Sequence, residues 1–360
     1  MKYSLCSPLG FLEVLKKKSP PKQSSELPED ICRQFSLAEI KAATNNFHRD
    51  SFIGQGGYGT VYRGTIDDGT MVAVKRYQSG LSYKVSQLRN EVQLLCQLRH
   101  PHLVSLIGIC LEKNEMLVVF EYMRRGSLDA VLFGMDSVSL AWKHRIQLCI
   151  GAARGLHYLH TGAKYAVIHR DIKSANILLD DECSCKLCDF SVSIMGPLSM
   201  SKTLIRKDTQ VLGTYGYASP DYIRSGELTE KSDVYSFGVV LFEVLSGRRA
   251  IDNTSPRHVL LNWASELVRK GTISHVIDPC LKGRIAPDCF KKYLEVACSC
   301  VHYNRNERPD MGEVEVTLEL ALELQEKSDS EMEGINPYAE CMYEEAKFCA
   351  SVSNFGLNGP

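Results

Sequence analysis

The eight residues His169–Asn176, HRDIKSAN, form the densest run of chemically capable side chains in the sequence. Asp171 is placed to accept or orient a hydroxyl proton. Lys173, two residues on, can meet a phosphate oxygen from the same loop. Asn176, five residues after Asp171, can bring its side-chain carbonyl to a metal ion. Thirteen residues further, Asp189 stands in Cys188-Asp189-Phe190-Ser191 at the end of a short strand. Alone it would read as a turn aspartate. Beside the other three it reads as a ligand for Mg²⁺, a hard cation that takes one or two protein oxygens and leaves its other positions to water and phosphate. A carboxylate, an ammonium, an amide and a second carboxylate in this order suit phosphoryl transfer, which needs charge held in position more than covalent chemistry.

Two features upstream fit the same chemistry. GQGGYGTV, Gly54 to Val61, lies between two short strand-like runs. Glycines without a Cβ let backbone amides approach phosphate oxygens. Dinucleotide-binding folds use the same glycine spacing, but there the loop opens a helix, whereas Tyr62-Arg63-Gly64 continues a strand. A tight structural hairpin is the other reading of the glycines. VAVK then places Lys75 sixteen residues after Gly59 on an apolar strand. A buried ammonium needs anions; nucleotide phosphates would supply them, with Glu91 on the next helix as a steadying carboxylate. A lysine snorkelling to solvent is the alternative.

Elements able to hold these groups follow from the hydrophobic pattern. Ser36 with Glu39 three residues on has the spacing of a capping box and opens a helix. Val61-Tyr62 and Met71–Val74 read as strands joined at Asp68-Gly69, followed by a helix over Gln87–Leu98 and strands at Leu103–Cys110 and Leu117–Tyr122. After Ser127 the period is helical. Ala141–His160 is predicted as one amphipathic helix, and Asp233–Leu245 is apolar all round, which implies central burial. Helix is predicted to end near Gln325. Strands first and helices after give an α+β protein of two lobes.

The whole chain has 360 residues and a formal net charge of -1, so no global field favours nucleic acid. Fourteen cysteines without a secretory h-region, and no apolar run long enough for a membrane span, point to reduced thiols and a cytoplasmic setting. Residues 1–34 read as a flexible leader, in which Cys6 and Lys16-Lys17-Lys18 could support contact with the plasma membrane; a solvated tail is the plainer reading. Residues 35–50 form a helical lead-in, 51–122 an N-terminal lobe, 123–325 a hinge and C-terminal lobe, and 326–360 an acidic disordered tail holding Tyr338 and Tyr343. Cys183, Cys185 and Cys188 are close enough to raise a zinc site, with Cys183 and Cys185 on one strand face; buried structural thiols are the plainer reading.

VAVK, HRDIKSAN, DFS, ASPD and DVYSFGVVLFEVLSGR, in this order, resemble a eukaryotic protein kinase over about residues 47–325. FSLAEIKAATNNF, GAARGLHYLH, LTEKSDVYSFG, IDPCLKGRIAPDCFKK and NERPDM resemble plant receptor-like kinases of the Pelle-related group, and the Feronia-type subgroup in particular. With no membrane span before the kinase, the chain resembles a receptor-like cytoplasmic kinase. The resemblance implies a bilobal fold, an antiparallel sheet with one helix and then a mainly helical lobe. It implies a serine/threonine kinase in signalling that uses ATP and Mg²⁺, or Mn²⁺ in its place, on protein substrates, itself included, under an upstream receptor kinase. Lysine two residues after Asp171 is the serine/threonine pattern.

Residue by residue, the resemblance makes Asp171 the catalytic base and gives Lys173 the charge on the transferred group. Lys75 and Glu91 become the pair that anchors phosphates, and Asn176 and Asp189 the metal ligands. Ile53, Gly54, Gln55, Gly56, Gly57, Tyr58, Gly59, Thr60, Val61, Ala73, Lys75, Phe120, Glu121 and Met123 would surround ATP, with Phe120 as gatekeeper and Glu121–Met123 as hinge. Leu95, Leu106, His169 and Phe190 would stack as a regulatory spine, and Asp233 would pin the catalytic loop. Arg170 would pair with a phosphate on the activation segment, where Ser199, Ser201, Thr203, Thr209 and Thr214 are candidates; Thr209 is the first choice, and Thr214 suits the substrate-facing loop better.

The sequence departs from the pattern at three places. Ser191 stands where the family has glycine, which restricts the backbone but leaves Asp189 intact. Asp221 replaces a glutamate whose partner is Arg308, and the shorter arm is expected to weaken that pair. Pro101 replaces a commoner arginine. These departures raise the alternative of a pseudokinase, a scaffold that binds nucleotide or partners without transfer.

Overall fold

The computed structural model describes residues 32–56, 59–67, 69–77, 82–112, 115–134, 140–198, 206–207, 211–254, 258–335 and 342–343. The chain divides into two compact units, one reaching Arg99 and resuming over Val104–Met123, the other taking His100–Leu103 and the chain from Arg124.

The first unit contains β1 (Arg33–Gln34), α1 (Leu37–Ala43), β2 (Phe52–Gly56), β3 (Gly59–Thr65), β4 (Met71–Tyr77), α2 (Ser82–Leu95), β5 (Leu106–Cys110) and β6 (Met116–Glu121). Its sheet has the order β1-β5-β6-β4-β3-β2, and only the β1–β5 pair is parallel. Strand alternation explains how β4 serves two purposes. Val72 and Val74 are fully buried on one face, in a cluster with Phe35, Leu37, Ile40, Leu117 and Val119. That leaves Ala73 and Lys75 on the opposite face. The lead-in helix therefore seals one side of the sheet. It is fixed there by the expected capping box: the Glu39 amide donates to Ser36 Oγ at 3.2 Å, and the Ser36 amide donates to Glu39 Oε2 at 2.6 Å. The last two residues of the expected leader are not free, because Arg33 and Gln34 pair with β5.

The second unit contains β7 (Gly126–Ser127), α3 (Leu128–Phe133), α4 (Trp142–His157), β8 (Tyr165–Ile168), β9 (Ile177–Leu179), β10 (Cys185–Leu187), β11 (Ile194–Leu198), β12 (Arg206–Lys207), α5 (Pro220–Ser225), β13 (Glu227–Leu228), α6 (Glu230–Ser246), α7 (Leu260–Arg269), α8 (Pro287–Cys300) and α9 (Met311–Ile335). Three small sheets, β10-β9-β7, β11-β8 and β12-β13, interrupt the helices. The apolar circumference of α6 does put it at the centre, with 14 of its 17 residues buried. At Gly238 a methyl group would lie 2.6 Å from Cys300 Cβ, so α6 and α8 cross at backbone range there. A sheet unit and a helical unit are the α+β arrangement expected. Among the described residues no helix is long and apolar enough to cross a membrane.

Several boundaries differ from the sequence reading. The last helix continues to Ile335, so residues 326–335 of the expected disordered tail are helical. Tertiary contacts hold this extension: Gln325 accepts from the Ala286 amide at 2.9 Å, and Asp329 meets Lys143 at 2.9 Å. The helix predicted over Ala141–His160 changes after His157 into a π-turn, Tyr158–Gly162, closed by the Ala163 amide on the Tyr158 carbonyl at 2.8 Å. The strand predicted from Leu103 begins at Leu106, because Leu103 bridges to Leu187 instead. The helix predicted from Gln87 begins at Ser82 and ends at Leu95. Cys183 and Cys185 do not share a strand face. Cys183 lies in a turn at φ 60° beside the Arg125 guanidinium, and Cys185 is buried with its thiol on the Leu148 carbonyl at 3.1 Å. Cys298 and Cys300 are buried in α8.

Candidate active site

In the first unit, β4 and α2 bring together the two residues that sequence spacing singled out. Lys75 Nζ lies 2.9 Å from Glu91 Oε2 and 3.2 Å from Oε1, with the Lys75 side chain 12% exposed and that of Glu91 1%. The lysine does not snorkel. Tyr77, two positions along the same strand, donates its phenol to Glu91 Oε2 and lays its ring 5.1 Å from Lys75 Nζ. Sequence reasoning missed Tyr77; its period-two relation to Lys75 was the available signal.

The glycines between β2 and β3 separate into two roles. A methyl group on Gly59 would strike the Arg76 carbonyl oxygen at 2.1 Å, so this glycine is required by strand contact. On Gly54 or Gly56 it would meet nothing within 4 Å. The loop joins two antiparallel strands rather than opening a helix, which removes the dinucleotide-fold reading. Gly57 and Tyr58 lie outside the described residues. Gln55 pairs with Thr60 and Val61 with Lys75 in the sheet register, Ala73 lies opposite Phe120, and Ile53 is exposed. Glu121 accepts the Ser105 amide at 2.7 Å, and Met123 is buried. Leu95 and Leu106 are buried in the same unit.

In the second unit, the loop after β8 gathers the catalytic candidates around one carboxylate. Thr214 Oγ1 donates to Asp171 Oδ1 at 2.6 Å, and Lys173 Nζ donates to Asp171 Oδ2 at 2.8 Å and to Thr214 Oγ1 at 2.9 Å. Asn176 Nδ2 donates to the Asp171 carbonyl at 2.8 Å and to Oδ2 at 3.2 Å. These bonds commit the amide nitrogen of Asn176 to Asp171. Asp189 accepts from Ser191 Oγ at 2.8 Å. Ser191 lies outside the left-handed region, while Asp189 itself has φ 67°. Serine is therefore compatible with this conformation, and it adds a tether to the carboxylate that glycine would lack. The His169 ring lies tilted against Phe190, with centroids 5.0 Å apart, and bonds to the Cys188 carbonyl at 3.0 Å, which fixes the segment leading to Asp189.

The loop is held from below by α6. Asp233 Oδ2 accepts the His169 amide at 2.7 Å and Oδ1 the Arg170 amide at 2.8 Å, with His160 Nε2 2.9 Å from Oδ2. The Arg170 Nε and Nη2 donate to the Tyr222 hydroxyl at 2.9 and 2.7 Å. Ser199, Ser201, Thr203 and Thr209 lie outside the described residues. Thr214 is described, and its hydroxyl is occupied by Asp171 and Lys173. The Asp221–Arg308 pair is intact: Arg308 Nη2 lies 2.5 Å from Asp221 Oδ1. Only one carboxylate oxygen is used, and Asp221 Oδ2 is buried without a hydrogen-bond partner.

A further acid, missed in the sequence, sits behind this loop. Glu243 of α6 is buried, accepts from the Tyr217 phenol at 2.8 Å and from the Ala250 amide at 2.9 Å, and leaves Oε2 without a partner. Burial pushes its carboxyl up to about 7, against the pull of these donors and Ser174 and with a further push from Asp129. Because the folded value is raised, its contribution is present below the unfolded value of 4.5 and is lost as pH rises towards 7. The parent is expected to lose about 3 kcal/mol of stability between pH 4.5 and 8 from this group, and Glu243→Gln should lack that component. Urea unfolding of both proteins across that range checks it; parallel curves would show that Glu243 does not titrate there.

The family described as protein tyrosine and serine/threonine kinase matches residues 47–318. The chain belongs to the protein kinase family. It is 49% identical over 315 residues to the receptor-like protein kinase FERONIA of Arabidopsis thaliana, a match covering 87% of this chain and 35% of that one. Receptor-like protein kinase ANXUR2 is 49% identical over 307 residues (85% of this chain, 35% of its own), and THESEUS 1 is 48% identical over 303 residues (84% and 35%), both from the same plant. This kinase thus resembles plant receptor-like kinases, as its motifs implied, and spans about a third of the length of these relatives.

Proposed function

We propose that this kinase transfers the γ-phosphate of ATP to serine and threonine hydroxyls of proteins, itself included. The observation that carries this reading is the triangle of Asp171, Lys173 and Thr214. An aliphatic hydroxyl already donates to the carboxylate expected to act as base, with an ammonium 2.9 Å from that hydroxyl oxygen. A substrate serine or threonine replacing Thr214 at Asp171 would meet the same surroundings. Asp171 orients the attacking hydroxyl and receives its proton, and Lys173 steadies negative charge on the transferred group.

The first unit supplies complementary groups. Lys75, oriented by Glu91 and Tyr77, offers a partly exposed ammonium to the α- and β-phosphates. The open space beside Gly54 and Gly56 leaves backbone amides approachable by phosphate. The oxygens of Asn176 and Asp189 form a hard donor set that suits Mg²⁺ better than a thiophilic metal, with Mn²⁺ as a substitute of similar preference. When bound, the ion neutralises charge on the phosphate oxygens. No observation favours the nucleotide-binding scaffold, since every charged group the transfer needs is present in the sequence. Similarity to receptor-like kinases supports a signalling role with protein substrates and an upstream receptor kinase. Cys6 and Lys16-Lys17-Lys18, the part of the leader that would reach a membrane, lie outside the described residues.

Purified protein given Mg²⁺ and γ-labelled ATP is expected to label itself on serine or threonine. Lys75→Glu should abolish the label. No incorporation by the parent, or label confined to tyrosine, would overturn the assignment.

A further inference from the structure

Beyond the last helix, the chain returns to the second unit at two residues. The Tyr343 amide donates to the Gly283 carbonyl at 2.7 Å, and the Tyr343 phenol donates to Asp329 Oδ1 at 2.7 Å. Met342 lies against Gly283, where an added methyl group would meet its Cε at 2.7 Å. Asp329 is itself a hub: Lys143 Nζ lies 2.9 Å from its Oδ2, and Gln325 Nε2 donates to Oδ1 at 2.8 Å. Its side chain is 13% exposed. Gln325 also accepts the Ala286 amide, so one residue of α9 braces both the loop and the acid that holds the tyrosine. The contact thus has a backbone hydrogen bond, a phenol on a partly buried carboxylate, and a cation behind that carboxylate.

Such a contact is sensitive to the charge of the phenol. An unmodified tyrosine donates a proton to Asp329. A phosphotyrosine has no phenolic proton and carries about two negative charges at neutral pH. Placed on Asp329 it would meet a like charge where it had met an acceptor. In sequence, Glu340, Glu344 and Glu345 make the neighbourhood of Tyr343 acidic, outnumbering the single cation Lys347.

We propose that Tyr343 is a phosphorylation site, and that its modification releases the C-terminal segment from Gly283 and Asp329. The modifying enzyme is a tyrosine-directed protein kinase using ATP. The phenolic oxygen attacks the γ-phosphorus, an O–P bond forms, the bond from that phosphorus to the β,γ-bridging oxygen breaks, ADP leaves and the phenolic proton passes to solvent. Release does not depend on this chain's own activity.

Cys341 lies two residues before Tyr343, so the full chain can be assembled by native ligation at Cys341 with tyrosine or phosphotyrosine at 343 and no other change. Hydrogen exchange is read at the peptide holding Tyr343 and at the 283–286 loop. The unmodified chain is expected to protect the Tyr343 amide. Phosphotyrosine should speed its exchange by roughly tenfold or more, the size expected for a doubly charged group set beside a partly exposed carboxylate. Asp329→Asn removes the like charge but keeps an oxygen acceptor and leaves Lys143 in place. In that background, phosphotyrosine should recover most of the protection. Equal protection with and without phosphate in the parent sequence would overturn the proposal. So would an unprotected Tyr343 amide before modification, or a loss of protection that Asp329→Asn leaves unchanged.

Discussion

Asp171→Asn is expected to lower the rate of phosphoryl transfer by about 10²–10⁴-fold while leaving the KM for ATP nearly unchanged. The substitution preserves the size and shape of the side chain. It removes the carboxylate proposed to take the hydroxyl proton, whose Oδ1 accepts the Thr214 hydroxyl and whose Oδ2 accepts Lys173. The backbone carbonyl of Asp171, which receives Asn176, is untouched. Loss should therefore fall on kcat. Steady-state rates with a fixed peptide, together with circular dichroism to show an unchanged fold, check this. A variant turning over at more than about a tenth of the parent rate would take Asp171 out of the proton-transfer role.

Arg308→Ala is expected to cost roughly 3–5 kcal/mol of stability, the range seen when one partner of a buried ion pair is removed. Arg308 is almost wholly buried and does more than meet Asp221. It donates to the carbonyls of His302 at 2.7 Å, Lys231 at 3.1 Å and Tyr303 at 3.3 Å, and lies 5.0 Å from the Tyr235 ring. Its removal strips Asp221 of the only charge opposing it in the described structure and leaves three carbonyls short of a donor. Both tryptophans, Trp142 and Trp263, lie in the same unit, so urea unfolding followed by their fluorescence reports on the region directly. A loss below about 1 kcal/mol would mean that water takes over the role of the guanidinium.

The candidate site was legible because its groups sit in short strings. Asp171, Lys173 and Asn176 share one loop, and a reader of the sequence can assign them together. Lys75 and Glu91 were legible for a different reason: an apolar strand followed by a helix forces a buried ammonium to find an acid. What escaped was support arriving from distant chain segments. His160 on Asp233, Tyr222 on Arg170 and Glu243 beneath Tyr217 leave no spacing signal, since each depends on packing across tens of residues, whereas Tyr77 on Glu91 left only its period-two relation to Lys75. The end of α9 was misjudged for a related reason. The apolar period stops near Gln325, but Gln325 and Asp329 find polar partners on the loop and on α4. The shorter arm of Asp221 was expected to weaken its pair with Arg308; the pair is made at 2.5 Å through one oxygen, with the second oxygen left without a partner.

Arg170 adopts φ 74° without being glycine, as does Asp189 at 67°. Each such residue stores on the order of 1–3 kcal/mol that only its surroundings can maintain. For Arg170 the restraint is visible: both oxygens of Asp233 grip the amides of His169 and Arg170, and Tyr222 holds the guanidinium. The loop behaves as a sprung catch whose keeper belongs to a helix at the centre of the fold. Chemistry and folding can consequently be uncoupled here, because slackening the keeper would let the loop relax to ordinary dihedral angles while the surrounding helices stay packed.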